Sequence, residues 1–271
     1  MLHEIFLIYL AAGALAGFVA ALFGVGGAFT MAPALIIGLP LQGVSDHLVM
    51  HISVGTALSV MVATSVYISV LRYRAGDLQL TLLWRFAPVV MLGALAGSLF
   101  GDALPGVVLK MIFIAVIALT ILRGLFYKGH ATVAGGGDLD KARGPLLWLY
   151  GTVCGFSGAL LGPGPAIITG PYLRRLRYPT RMVAATASAI SGPLGVASAV
   201  GYIYGGLNEP DLPAYALGYI YGPAFAGLAL GAMFGSPLGV RVSHRIADVL
   251  VHRLFISYLG LLLAVMLIWG R

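Results

Sequence analysis

Residues 155–171 read GFSGALLGPGPAIITGP, five glycines and three prolines in seventeen positions, with apolar sequence on both sides. Glycine permits left-handed backbone, and proline removes a donor while fixing φ, so no continuous helix is expected to run through this cluster. The flanks nevertheless have the composition of membrane segments. Of the 271 residues, 60% are hydrophobic and 9% charged, with a mean hydropathy of +0.98; a soluble domain carries roughly a quarter charged residues. Runs such as 5–23, 86–101, 108–122 and 254–269 hold few or no charges and approach the roughly 20 residues that cross a bilayer. They are apolar on every face, which is the pattern of helices rather than of barrel strands. An all-α polytopic membrane protein follows, with the lipid bilayer as its first partner.

The breaker cluster occurs twice. GALAGFVAALFGVGGAFTMAP from Gly13 aligns without gaps to GTVCGFSGALLGPGPAIITGP from Gly151, so Gly24 meets Gly162, Gly26 meets Gly164 and Pro33 meets Pro171. SVGTALS (53–59) resembles VAATASA (183–189), and GALAGSLFG (93–101) resembles GLALGAMFG (227–235). Matches in the same order point to a duplicated chain. Its expected parts are a first membrane repeat over 1–127, a cytoplasmic linker over 128–144 and a second repeat over 145–271. Each half contains a broken, re-entrant pair (5–23 with 28–38; 146–161 with 165–176) and three full segments: 47–71, 84–101 and 108–127, then 181–204, 213–235 and 249–270.

The 16 basic residues, apart from Lys110 and Arg271, form four groups in the connecting segments. All four lie on the cytoplasmic side if each broken pair enters and returns. Both termini are then outside, and an odd number of elements per half turns the second half upside-down. An inverted repeat built around broken helices is a recurrent transporter architecture. The net charge of +7 is thereby accounted for as topology, and nucleic acid is not an expected partner. The single cysteine, Cys154, excludes a multi-cysteine metal site, and no metal or cofactor is expected. The N-terminus lacks the basic region of a signal peptide and reads as a mature membrane segment.

A helix that starts inside a membrane presents unpaired N–H groups and about half a positive charge. The starts expected at Ala28 and Ala166 would meet near the midplane and hold an anion, with Pro165 suited to a first helical turn. The candidate binding residues are Gly24, Val25, Gly26, Gly27, Ala28 and Thr30 in the first half, and Gly162, Pro163, Gly164, Pro165, Ala166 and Thr169 in the second. Thr56 and Thr186, which align between the halves, join them. The other intramembrane hydroxyls, among them Ser53, Ser59, Thr64, Ser65, Ser188 and Ser191, also suit an anion, and no carboxylate falls well inside a segment to serve a cation. Gly93, Gly97 and Gly101, with Gly227, Gly231 and Gly235, read instead as packing glycines. His51 is the one histidine inside a segment and the candidate for proton linkage.

A GxGG breaker, a proline about six residues on, and the same arrangement in the second half resemble the TauE/SafE family of sulfite and organosulfonate exporters. The family's third glycine is Ala28 here, and Pro165 and Ala166 stand in its place in the second half. The resemblance covers nearly the whole chain. It implies outward movement of a small sulfur-containing anion across the inner membrane with no ATP-hydrolysing part. Two rivals come from other classes. A passive anion channel fits the same residues. Gly155-Phe156-Ser157-Gly158 matches the GxSG motif of intramembrane serine proteases, but His244 and His252 fall in or beside a charged loop rather than at the serine's depth. The chain is therefore read as a transporter and not an enzyme.

Overall fold

The computed structural model describes residues 2–24, 27–125, 144–162, 165–246 and 248–269. Among the described residues there are ten α-helices: α1 (Leu2–Phe23), α2 (Ala28–Gly38), α3 (Asp46–Arg74), α4 (Leu80–Asp102), α5 (Gly106–Leu125), α6 (Pro145–Leu161), α7 (Gly170–Arg175), α8 (Thr180–Gly206), α9 (Gly222–Ser243) and α10 (Asp248–Trp269). Seven of them are long and apolar enough to cross a membrane, while the helices at 28–38 and 145–160 are shorter. The protein is an all-α polytopic membrane protein, as its composition requires. Residues 128–143 of the expected linker lie outside the described residues.

Contact registers fix the directions of the helices. Gly13 and Gly17 of α1 pack on Leu228 and Ala232 of α9, and Gly93 and Gly97 of α4 pack on Thr152 and Phe156 of α6, so both pairs are parallel. Gly201 and Gly205 of α8 lie on Ser98 and Asp102 of α4, also in parallel. Between α3 and α8 the order reverses, with Gly55 beside Tyr202, Leu58 beside Gly195 and Ser65 beside Gly192. Thr56 meets the start of α9 at Tyr221, and the Arg72–Asp77–His244 group joins the C-terminal ends of α3 and α9. Hence α1, α3 and α9 run one way, and α4, α6 and α8 the other.

The same contacts show what the broken segments do. Gly27 lies near Ala20 and Gly38 near Tyr9, so α2 doubles back along α1. Tyr172 on α7 stacks on Tyr150 at the start of α6, with ring centroids 4.8 Å apart, so α7 doubles back along α6. Helix contacts are preserved when the halves are exchanged: α1 packs on α9 as α6 does on α4, and α3 and α8 meet at the centre. The glycines at the α1/α9 and α4/α6 seams carry this geometry. A methyl group on Gly231 or Gly235 would overlap the carbonyl oxygen of Leu10 or Ala14, and one on Gly155 that of Val90. Backbones approach this closely only where side chains are missing.

Two boundaries differ from the sequence reading. The segment expected at 213–235 begins at Gly222 and continues to Ser243. Residues before it turn through Tyr215 (φ 67°) and Gly218 (φ 54°) into a short hairpin that pairs Ala216–Leu217 with Ile220–Tyr221. The apolar content of this stretch is spent on covering the ends of α3 and α8 rather than on a helix. The piece expected as one helix over 165–176 is a π-turn, Pro165–Thr169, leading into the six-residue α7.

Candidate functional site

Each first helix ends on a left-handed glycine. The Gly24 N–H donates to the Ala20 carbonyl at 2.9 Å, and the Gly162 N–H to the Gly158 carbonyl at 2.6 Å, with φ of 70° and 86°. This helix-ending conformation is one that side chains resist. Beyond Gly24 the chain restarts with Gly27 as N-cap of α2, and the Thr30 and Met31 N–H groups both reach the Gly27 carbonyl at 3.1 Å.

The two breakers meet. A Cβ on Gly162 would stand 3.1 Å from both the Phe29 nitrogen and the Ala28 Cβ, so the end of α6 lies against the first turn of α2. Gly24 in turn lies against the backbone of Ala184 on α8. Ala28, Phe29 and Gly27 are buried, and Thr30 is half-buried and faces Tyr258 of α10. Pro165 and Ala166 form the π-turn, whose carbonyl at Pro165 accepts the Thr169 hydroxyl. Val25, Gly26, Pro163 and Gly164 lie outside the described residues.

The aligned pair Thr56 and Thr186 have different surroundings. Thr56 holds the hairpin, its hydroxyl accepting the Tyr221 N–H at 2.9 Å and donating to the Tyr219 carbonyl at 3.4 Å. Thr186 is fully buried, and its hydroxyl has no hydrogen-bond partner among the described residues; the same holds for Ser53 and Ser188. Ser59, Thr64 and Ser191 bond carbonyls of their own helices, while Ser65 donates across to Ser188 on α8. Ser157 of the GxSG motif bonds the Val153 carbonyl at 2.7 Å, and Gly155 beside it is a contact point for α4.

His51 belongs to another region. Its Nε2–H donates to the Leu104 carbonyl at 3.0 Å, its ring lies on Tyr219, and it lines an open cavity of about 460 Å³ with Asp46, His47 and Glu209. None of the described breaker residues lines that cavity. Tyr219 sits in the hairpin, where burial first and the neighbouring Asp102 carboxylate second push its hydroxyl up to about 12, so it stays a neutral donor.

Arg72 is the residue whose place the sequence conceals. By sequence position it belongs to one of the four cytoplasmic basic groups, yet it is 1% exposed. Its Nη2 donates to the Ala21 carbonyl at 2.7 Å, in the last turn of α1. The signal was available in the repeat: extending the gapless match of 53–59 with 183–189 brings Arg72 opposite Tyr202, as Ala21 lies opposite Ala159. The Tyr202 hydroxyl donates to the Ala159 carbonyl at 3.3 Å. Both halves therefore cap the broken helix from the third, one with a charge and one without.

The family model for Sulfite exporter TauE/SafE matches residues 9–267. The chain belongs to the TauE/SafE family. A "Probable membrane transporter protein" of Haemophilus influenzae is 26% identical over 241 residues, covering 89% of each chain. One from Methanocaldococcus jannaschii, with the same description, is 25% identical over 265 residues, covering 92% of this chain and 91% of its own. No solved structure gives a significant match. This TauE/SafE protein is thus a multi-pass membrane transporter.

Proposed function

We propose that the protein exports a small sulfur-containing anion, sulfite or an organosulfonate, across the inner membrane by alternating access between inverted halves. The observation that carries this reading is the contact of Gly162 with the first turn of α2. It brings the end of α6 against the first turn of α2, a helix start whose own polarity favours negative charge. The opposite running of α1, α3 and α9 against α4, α6 and α8 supports the inversion, and with it rocking of one half against the other about a shared site. The arginines at the C-terminal ends of α3, α5, α7 and α9 and the N-terminal ends of α4, α8 and α10 gather at one end of the bundle. By the positive-inside tendency that end is cytoplasmic. The Thr186 hydroxyl, without a partner among the described residues, is free to donate to a desolvated anion, since burial without a bond is unfavourable.

The test is flux of radiolabelled sulfite, sulfoacetate and taurine in proteoliposomes, with and without a pH gradient. Accumulation against a concentration gradient, abolished by a protonophore, is the expected result and would tie transport to protons. Flux that only dissipates gradients would make the protein a passive channel. Movement of some other small anion alone would overturn the substrate. In the same assay Thr186→Val is expected to lower flux several-fold while stability changes by less than about 1 kcal/mol, because no bond of the fold is lost.

A further inference from the structure

A chain reversal places the C-terminal end of one helix beside the N-terminal start of the next. Their partial charges are opposite and would largely cancel at a distance of a few ångströms. In the first half the negative end is already answered. Arg72 is buried, and its Nη2 bonds the Ala21 carbonyl three residues before the Gly24 turn. Its Nη1 lies 3.4 Å from Asp77 Oδ2, which also sits 2.7 Å from His244 Nε2. Arg181 borders the same group through the His244 carbonyl. In the second half the equivalent cap is the neutral Tyr202.

We propose that Arg72 is a positioning residue that neutralises the carbonyl end of α1, leaving the start of α2 as the net positive seat for the transported anion, and that Asp77 tempers its charge. The two breakers are then electrically unequal, with the first the stronger anion seat. This inference rests on the reading that the breakers hold an anion.

Half-saturation of sulfite flux in proteoliposomes separates the roles. Arg72→Gln keeps a donor but removes the charge, and is expected to raise the half-saturation concentration about tenfold or more. Arg72→Lys restores most of the loss. Asp77→Asn acts in the opposite direction and lowers half-saturation a few-fold, because it unmasks Arg72. A residue that merely fastened the turn would behave otherwise: Arg72→Gln and Asp77→Asn would both reduce maximal flux at unchanged half-saturation, and that result overturns the proposal. Should Arg72→Gln fail to fold, as judged by size-exclusion profile, the sign of the Asp77→Asn shift decides alone. Wild-type protein with no saturable anion flux would overturn the functional reading itself, and this inference with it.

Discussion

Gly162→Ala is expected to abolish most transport while leaving a folded protein. The residue holds φ at 86°, a conformation that costs an ordinary side chain about 1–2 kcal/mol. The added methyl would also stand 3.1 Å from the Phe29 nitrogen and the Ala28 Cβ. The first turn of α2 must then give by a few tenths of an ångström, which displaces the amides proposed to face the anion. Gly43→Ala separates the two effects. Its φ is 79°, yet nothing lies within 4 Å of its Cβ position, so it carries the backbone strain without the contact. Gly43→Ala should lose about 1–2 kcal/mol of stability, the cost of the left-handed backbone, and Gly162→Ala at least as much. Only Gly162→Ala should lower flux by tenfold or more, measured as initial sulfite uptake. Equal flux in the two would mean that the α6–α2 contact plays no part in transport.

The second large effect concerns the seam between the halves. A methyl on Gly235 would overlap the carbonyl oxygen of Ala14, and α1 and α9 run in contact along Gly227, Gly231, Gly235 and Gly239. With backbone rather than flexible side chain on the other side, the helices must separate. Overpacking of this kind typically costs 1–3 kcal/mol and sometimes more; here about 3 kcal/mol or more is expected, with loss of the monodisperse protein peak on heating in detergent. Gly260→Ala on α10 is the matched control, since its Cβ position is open. Helix propensity there favours alanine by about 1 kcal/mol. A Gly235→Ala protein as heat-resistant as Gly260→Ala would mean that the seam is looser than these contacts require.

Much of this architecture was legible because it is written as composition and repetition. The Gly24 and Gly162 turns, the packing glycines at 93–101 and 227–235, and the seven long apolar helices follow from breakers, four-residue spacing and length. Three features were not legible, each for a physical reason. The stretch 213–221 is as apolar as a membrane helix, and the positive-φ backbone at Tyr215 and Gly218 together with the Thr56 bonds makes it a hairpin. Thr56 and Thr186 align, but what fills the space beside each hydroxyl depends on the other half. Arg72 looks like a flanking arginine because sequence position reports the end of a helix, not what packs over it. The candidate site is accordingly less legible than the fold: the residues of the turns were named, and the charge that stands behind one of them was not.

Anomalous diffraction from crystals grown with selenite, a heavy analogue of sulfite, tests the anion seat most directly. The account predicts a peak within hydrogen-bonding distance of the Ala28 and Phe29 amides, beside Gly162. A peak confined to the arginine-rich end of the bundle, or none at saturating selenite, would contradict it.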